Sequence, residues 1–356
     1  MTTLSPLSPR QVPNSRIRRQ RWYAIALVLV LPPFTVDLLF GATSIASTME
    51  TLGEIAIFGL PALVIRAFAR RGGRGFRVVV LLGVAFALTA EFLIVQTSLT
   101  PLVGQEPHPG YGRAAGVNWP FLVWAQGYES LWGIAMPIQL AELAFPLHRT
   151  SAWLGARASA VLTILFVLGA GAIWYNWTQL GEPATSHQPV YLPPLLTVLC
   201  GWVVVLALVL AALLVPPHRY LPARPHSRAA APAPILAGIA AAGCAFLWFG
   251  LTLLWSRWGA WALAVPAFVP LILALILAVV CCLVGRAWVG GPGWSDRHRL
   301  AVVTGALVVP MAVGFVTNDL TDPVKAIGKI VLNAMAVLVL ALLARKVWRR
   351  QAPAAE

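Results

Sequence analysis

Ten apolar stretches divide the chain, at 22–44, 51–69, 78–99, 120–146, 158–178, 194–215, 233–255, 261–285, 301–317 and 326–344. Each approaches the roughly 20 residues that a helix needs to cross the hydrocarbon core of a bilayer. The short alternating segments of a transmembrane barrel are not evident. The pattern predicts an all-α, polytopic integral membrane protein of ten transmembrane helices. The expected organisation is a disordered basic tail over 1–21, a ten-span transmembrane domain over 22–346 and a second tail over 347–356. The first apolar run continues past any good cleavage site into Asp37, which predicts an uncleaved span rather than a signal peptide.

The fourth stretch breaks the apolar pattern. Residues 120–146 read PFLVWAQGYESLWGIAMPIQLAELAFP and carry Gln126, Glu129, Gln139 and Glu142. A carboxylate at the bilayer centre costs about 2.5–3.5 kcal/mol even on a lenient insertion scale. Five of the 12 acidic residues fall inside predicted spans: Asp37, Glu54, Glu91, Glu129 and Glu142. At about 1.5 Å of rise per residue, Asp37, Glu54, Glu91 and Glu129 all fall in the outer half of the bilayer. Glu142 falls near the cytoplasmic end, where Arg149 or Arg66 is the expected partner. Acids at that depth must face the bundle interior, a wet cavity or a cation. Pro32 and Pro33 remove two amide donors just before Asp37, which predicts a kink or break there. Gln126 and Glu129 share a face of the fourth helix. Lys329, four residues before Asn333, lies nearly level with Glu54 and is the expected partner of one carboxylate. The candidate substrate- or ion-binding set is therefore Asp37, Glu54, Glu91, Gln126, Glu129 and Lys329.

Composition narrows the class further. Hydrophobic residues make up 59% of the chain and charged residues 11%, with a mean hydropathy of +0.79; soluble domains carry about 25% charged residues. The net charge of +14 is a topology signal. With the N-terminus in the cytoplasm, cytoplasmic segments hold 22 of the 26 Lys and Arg residues. Both termini are thus expected inside, with the protein in the cell membrane. The partners implied are the bilayer and anionic lipid at the cytoplasmic face, not nucleic acid. Trp22, Trp153 and Trp348 are expected near inner span ends, and Trp119, Trp177, Trp258 and Trp261 near outer ones.

No P-loop is present, so an ATP-hydrolysing pump on this chain alone is excluded. No cofactor or metal site is expected. Cys200, Cys244, Cys281 and Cys282 read as small apolar packing residues, and all six histidines are expected in loops. The loop TPLVGQEPHPGYGRAAGVNW, residues 100–119, carries Arg113 and is expected to be solvated, with folding back over the outer face as the alternative. The segment Asn318-Asp319-Leu320-Thr321-Asp322 is expected to be a helix-terminating turn before Pro323.

Over roughly residues 30–150, especially in GYGRAAGVNW and IAMPIQLAELAFP, the chain resembles a group of prokaryotic multi-pass membrane proteins. That group is loosely similar to CAAX-type intramembrane metalloproteases. Their paired-glutamate motif reduces here to Ala90-Glu91, with no arginine four residues later and no histidine in any span. Glu129 stands where a histidine stands in those enzymes. The resemblance implies an intramembrane enzyme using Glu91 as general base. The residues themselves point first to a transporter-like protein with an outward-opening acidic pocket for a cation, proton or cationic substrate, and Asp37, Glu91 and Glu129 at its centre. A non-catalytic assembly protein, its acids serving as helix-packing contacts, is the third reading.

Overall fold

The computed structural model describes residues 14–42, 52–100, 108, 110–181, 183–184, 189–217 and 230–350. Among the described residues the structure is all-α apart from one small hairpin. Ten long helices are formed: α1 (Asn14–Pro33, continued by a π-helical turn Phe34–Leu38), α2 (Leu52–Arg71), α3 (Phe76–Ile94), α4 (119–144), α5 (Ala156–Gly181), α6 (Leu195–Leu214), α7 (Pro234–Leu251), α8 (Phe268–Val289), α9 (Asp296–Thr317) and α10 (Pro323–Arg350). Among the described residues, nine of these are long and apolar enough to cross a membrane. The exception is α4, whose buried polar side chains lower its hydropathy. The architecture is that of a polytopic membrane protein.

Several boundaries differ from expectation. Residues 14–21 are helical rather than a disordered tail. Arginine is a good helix former, and Arg19 Nε donates to Tyr23 Oη one turn on, at 2.7 Å. At the other end α10 runs to Arg350, past the expected boundary at 346. α9 starts at Asp296 because Ser295 and His298 cap it reciprocally; His298 is thus helical, not in a loop, and its Nε2 lies 2.7 Å from the Pro232 carbonyl. Residues 1–13, 43–51 and 351–356 lie outside the described part.

Burial sorts the helices. The most apolar stretch of α3 is 61% buried, whereas that of α5 has no fully buried residue and only lays Leu162, Phe166, Ala170 and Ile173 against the core. α4 is central: it packs on α1, α2, α3, α8, α9 and α10. Small residues set the close crossings. Gly305 of α9 lies against the backbone of Gly238 in α7, and Gly83 of α3 against the backbone of Ser130 in α4.

Prolines are kept inside the helices, and their missing amides explain several cross-links. Pro310 cannot donate to the Ala306 carbonyl; Trp132 Nε1 of α4 does so instead, at 3.1 Å. Around Pro137 the helix is in π register, as the Met136 amide bonding Leu131 shows, so Pro137 frees the Trp132 carbonyl. The Thr35 hydroxyl of α1 donates to that carbonyl at 2.6 Å. Pro32 and Pro33 do not break α1; the helix widens into its π turn and the Leu29 carbonyl meets the backbone of Gly59 in α2.

At the end of the bundle rich in arginine, Glu142 is enclosed by two guanidinium groups. Arg66 Nε lies 3.0 Å from Oε1, and Arg70 makes a bidentate pair at 2.8 and 2.5 Å. Arg66 also donates to the His148 and Arg149 carbonyls and lies under the ring of Trp153, 3.2 Å from its centroid. Trp153 is therefore a buried lid on Arg66 rather than an interfacial anchor. Arg149, the alternative partner for Glu142, pairs with Asp296 at 2.6 Å. Removing one partner of a buried pair strands a charge. Glu142→Ala is expected to destabilise by about 3–5 kcal/mol, whereas Asp296→Asn, at a partly exposed pair, changes stability by about 1 kcal/mol or less. Thermal unfolding of both variants in detergent measures the difference.

Candidate functional site

The opposite end of the bundle carries the hairpin. β1 (Arg113–Ala114) pairs antiparallel with β2 (Val117–Asn118), Arg113 opposite Asn118 and Ala114 opposite Val117. Both turn residues have positive φ, Ala115 at 51° and Gly116 at 77°, the backbone of a tight primed turn. This part of the 100–119 loop folds back rather than staying solvated; residues 101–107 and 109 lie outside the described part. Asn118 does two jobs. Its amide donates to the Ser98 carbonyl at 2.8 Å, and its side chain caps α4 at the Phe121 amide. Arg113 donates to the carbonyls of Leu99 at 2.8 Å and Thr100 at 2.7 Å. Burial lowers its pKa from the ordinary arginine value.

Beneath this hairpin the acidic residues meet. Glu91 is 2% exposed, and its Oε2 accepts the Ser98 amide at 2.9 Å and the Ser98 hydroxyl; Oε1 accepts the Thr97 hydroxyl at 3.3 Å. Glu129 of α4 lies within electrostatic reach of Glu91, and Glu54 within reach of Glu129. Asp37, like Glu129, is within reach of Tyr128. Asp37 and Glu129 are each 8% exposed, and Glu54 is half-buried. Glu91 and Glu129 thus adjoin in an enclosed position rather than opening outward as a pocket.

Each of these acids sits at a π-helical segment. Asp37 lies within Phe34–Leu38 and Glu91 within Ala90–Ile94, while Glu54 directly precedes Ile55–Gly59 and Glu129 opens Glu129–Ala135. A π turn inserts one residue into the helical register and rotates everything beyond it; such bulges are frequent at functional sites.

Two candidates play other parts. Gln126, its amide assigned from its surroundings, donates to the Val84 carbonyl and accepts from the Leu88 amide, both at 3.2 Å. It ties α4 to α3 one helical stretch away from Glu91. Among the described residues Lys329 has no carboxylate partner; its Nζ donates to the carbonyls of Leu39 and Phe40 at 2.9 Å and Met311 at 3.1 Å. The end of α1 offers carbonyls without amide partners, so the ammonium caps that helix and holds it to α9 and α10. Asp319 and Asp322 likewise serve the α9–α10 turn, accepting the Thr321 and Val324 amides at 3.0 and 2.9 Å. The Thr321 amide draws the Asp319 pKa below the usual aspartate value.

The sequence reading missed Ser98, Thr97 and Tyr128. The one available signal was the spacing of Trp124, Tyr128 and Trp132, which puts three aromatics on one helix face. They stack with Phe40 and Phe249, and Tyr128 Oη donates to the Val36 carbonyl at 2.8 Å, beside Asp37.

Two adjoining carboxyls of this kind can share one proton or take one small cation between them. Among the described residues no three His, Cys, Asp or Glu side chains are grouped to hold a metal ion. Comparison with known protein families, curated proteins and solved structures found no match; the chemistry of the site is read from its own geometry.

The pair is asymmetric, and substitutions test this. A Glu129→Gln amide supplies the proton that Glu91 accepts, so the variant is expected to unfold at the wild-type temperature or above. Glu91→Gln turns one oxygen that accepts hydroxyl and amide donors into a donor and costs about 1–3 kcal/mol. Infrared difference spectra should lose a protonated-carboxyl band in Glu129→Gln and show it shifted in Ser98→Ala.

Proposed function

We propose that this chain is a transporter-like protein of the cell membrane, with ten spans and both termini in the cytoplasm. Its coupling site is the Glu91–Glu129 pair, with Asp37 and Glu54 beside it. The observation that carries the reading is Glu129 Oε2: it is buried and has no hydrogen-bond partner among the described residues. A buried carboxyl oxygen without a donor, next to a second carboxyl, is a place for a proton or a desolvated cation. Intramembrane carboxyls in chains are the ordinary carriers of proton relays in transporters.

The positive-inside distribution puts the hairpin end outside. In that orientation the 96–100 turn closes the site against the outer face, and Ser98 is its direct contact with Glu91. Opening requires the turn to lift, which breaks the Ser98 bonds and leaves the carboxyls to exchange protons with external water. Binding of a cation in place of the proton favours the closed state again. An enzyme using Glu91 as general base is less well supported, because both Glu91 oxygens already accept hydrogen bonds from Ser98 and Thr97.

The test is a proteoliposome assay. Vesicles carrying the full chain and an internal pH dye are given outward or inward gradients of sodium, potassium or tetraethylammonium. One of these is expected to drive a proton movement that falls at least about tenfold in the Asp37→Asn/Glu91→Gln/Glu129→Gln variant, the loss typical of a removed proton-transfer group. Asp319→Asn, in the exposed turn, keeps wild-type flux. Equal flux in the triple variant and the wild type would sink the proposal.

A further inference from the structure

The last two turns of α10 form a feature that the acidic site does not use. Arg345, Lys346, Arg349 and Arg350, with Leu342, line a hollow of about 440 Å³. These positions recur at three- and four-residue intervals and so share one face of the helix. Among the described residues no carboxylate lines the hollow. The same face continues along the helix as an exposed apolar ridge of Met335, Leu338 and Leu342.

Two of the charges have a structural use. Lys346 Nζ donates to the Ala144 carbonyl and Arg350 to the Leu143 carbonyl, both at 3.2 Å, where the end of α4 presents carbonyls without amide partners. Those bonds also fix the two side chains in the seam between α4 and α10, beside the ring of Phe145. Arg345 and Arg349 bring two further charges into the same hollow. Four cations on one short stretch repel each other and call for an anion.

We infer that this hollow binds the phosphate-bearing headgroup of an anionic phospholipid, with an acyl chain lying along the ridge of Met335, Leu338 and Leu342. The argument rests on continuity: a lipid-facing apolar ridge leads without interruption into a fixed cluster of cations, which is the order of parts in a phospholipid. A soluble anion would need the cations but not the ridge. Juxtamembrane basic clusters attract anionic lipid through each Lys or Arg near the surface.

The experiment uses the full chain purified in detergent and titrated with phosphatidylglycerol, phosphatidylcholine or inorganic phosphate, with bound lipid counted by native mass spectrometry. Phosphatidylglycerol is expected to bind at least about tenfold more tightly than phosphatidylcholine, and the preference to shrink as salt is raised. Arg345→Gln/Arg349→Gln leaves the α4 contacts intact and is expected to weaken phosphatidylglycerol binding about fivefold for each charge removed. Arg345→Lys/Arg349→Lys retains most of it. Three outcomes overturn the inference: unchanged phosphatidylglycerol binding in the glutamine variant, equal binding of the two lipids, or displacement of phosphatidylglycerol by an equal concentration of inorganic phosphate. The last would mark a site for the free anion rather than for lipid.

Discussion

In a bilayer no water is available to satisfy a backbone carbonyl, so every carbonyl that a proline strips of its amide must find a donor in the protein. This constraint organises the bundle around α4. Pro310 frees the Ala306 carbonyl and Trp132 takes it; Pro137 frees the Trp132 carbonyl and Thr35 takes it. Trp132 is thus donor to α9 and acceptor from α1 at once. Lys329 does the same service for the last carbonyls of α1 and for Met311. The helices are held by obligations of the backbone as much as by apolar packing, because lipid competes for the latter and not for the former. The π turns belong to the same economy of hydrogen bonds: a helix that gains a residue bonds to the fifth carbonyl back instead of the fourth, and its side chains turn.

That turning sets what could be read in advance. Depth along a helix follows from residue count, so a shared level for Asp37, Glu54, Glu91 and Glu129 is what the sequence leads one to expect. Direction around the helix does not follow, because each π turn shifts the face beyond it by about a quarter turn, close to 100° for one inserted residue. Lys329 shows the cost. It lies level with Glu54, yet it meets carbonyls at the end of α1 instead of a carboxylate. Proline was legible as an irregularity but not as a cross-link, since the donor that answers a freed carbonyl comes from another helix. Glu142 was legible as an ion pair because arginines crowd that end. Ser98 was not, because a serine after a span has no pattern that marks it as a ligand of the acid seven residues earlier.

The contrast between the two glutamates of α4 then carries the functional argument one step further. Glu142 is 1% exposed and is held by two guanidinium groups. Its charge is answered, and Arg66 is tied in turn to backbone carbonyls and to the Trp153 ring. Nothing there is free to change occupancy without breaking the cluster. Glu129 is also buried, at 8% exposed, but its neighbour is another acid, and among the described residues no cation pairs with either. One helix therefore carries a locked carboxyl at its basic end and one without a paired cation toward its hairpin end. The parts over the second are also the lighter: a two-residue-per-strand hairpin and a short turn, joined by Arg113 and Asn118. Low local contact and solvent-side backbone bonds are the marks of segments that open first. A bundle that is fixed at one end by paired charges and closed at the other by a small hairpin has its lighter closure beside Glu91 and Glu129, which is where the proposed exchange site lies.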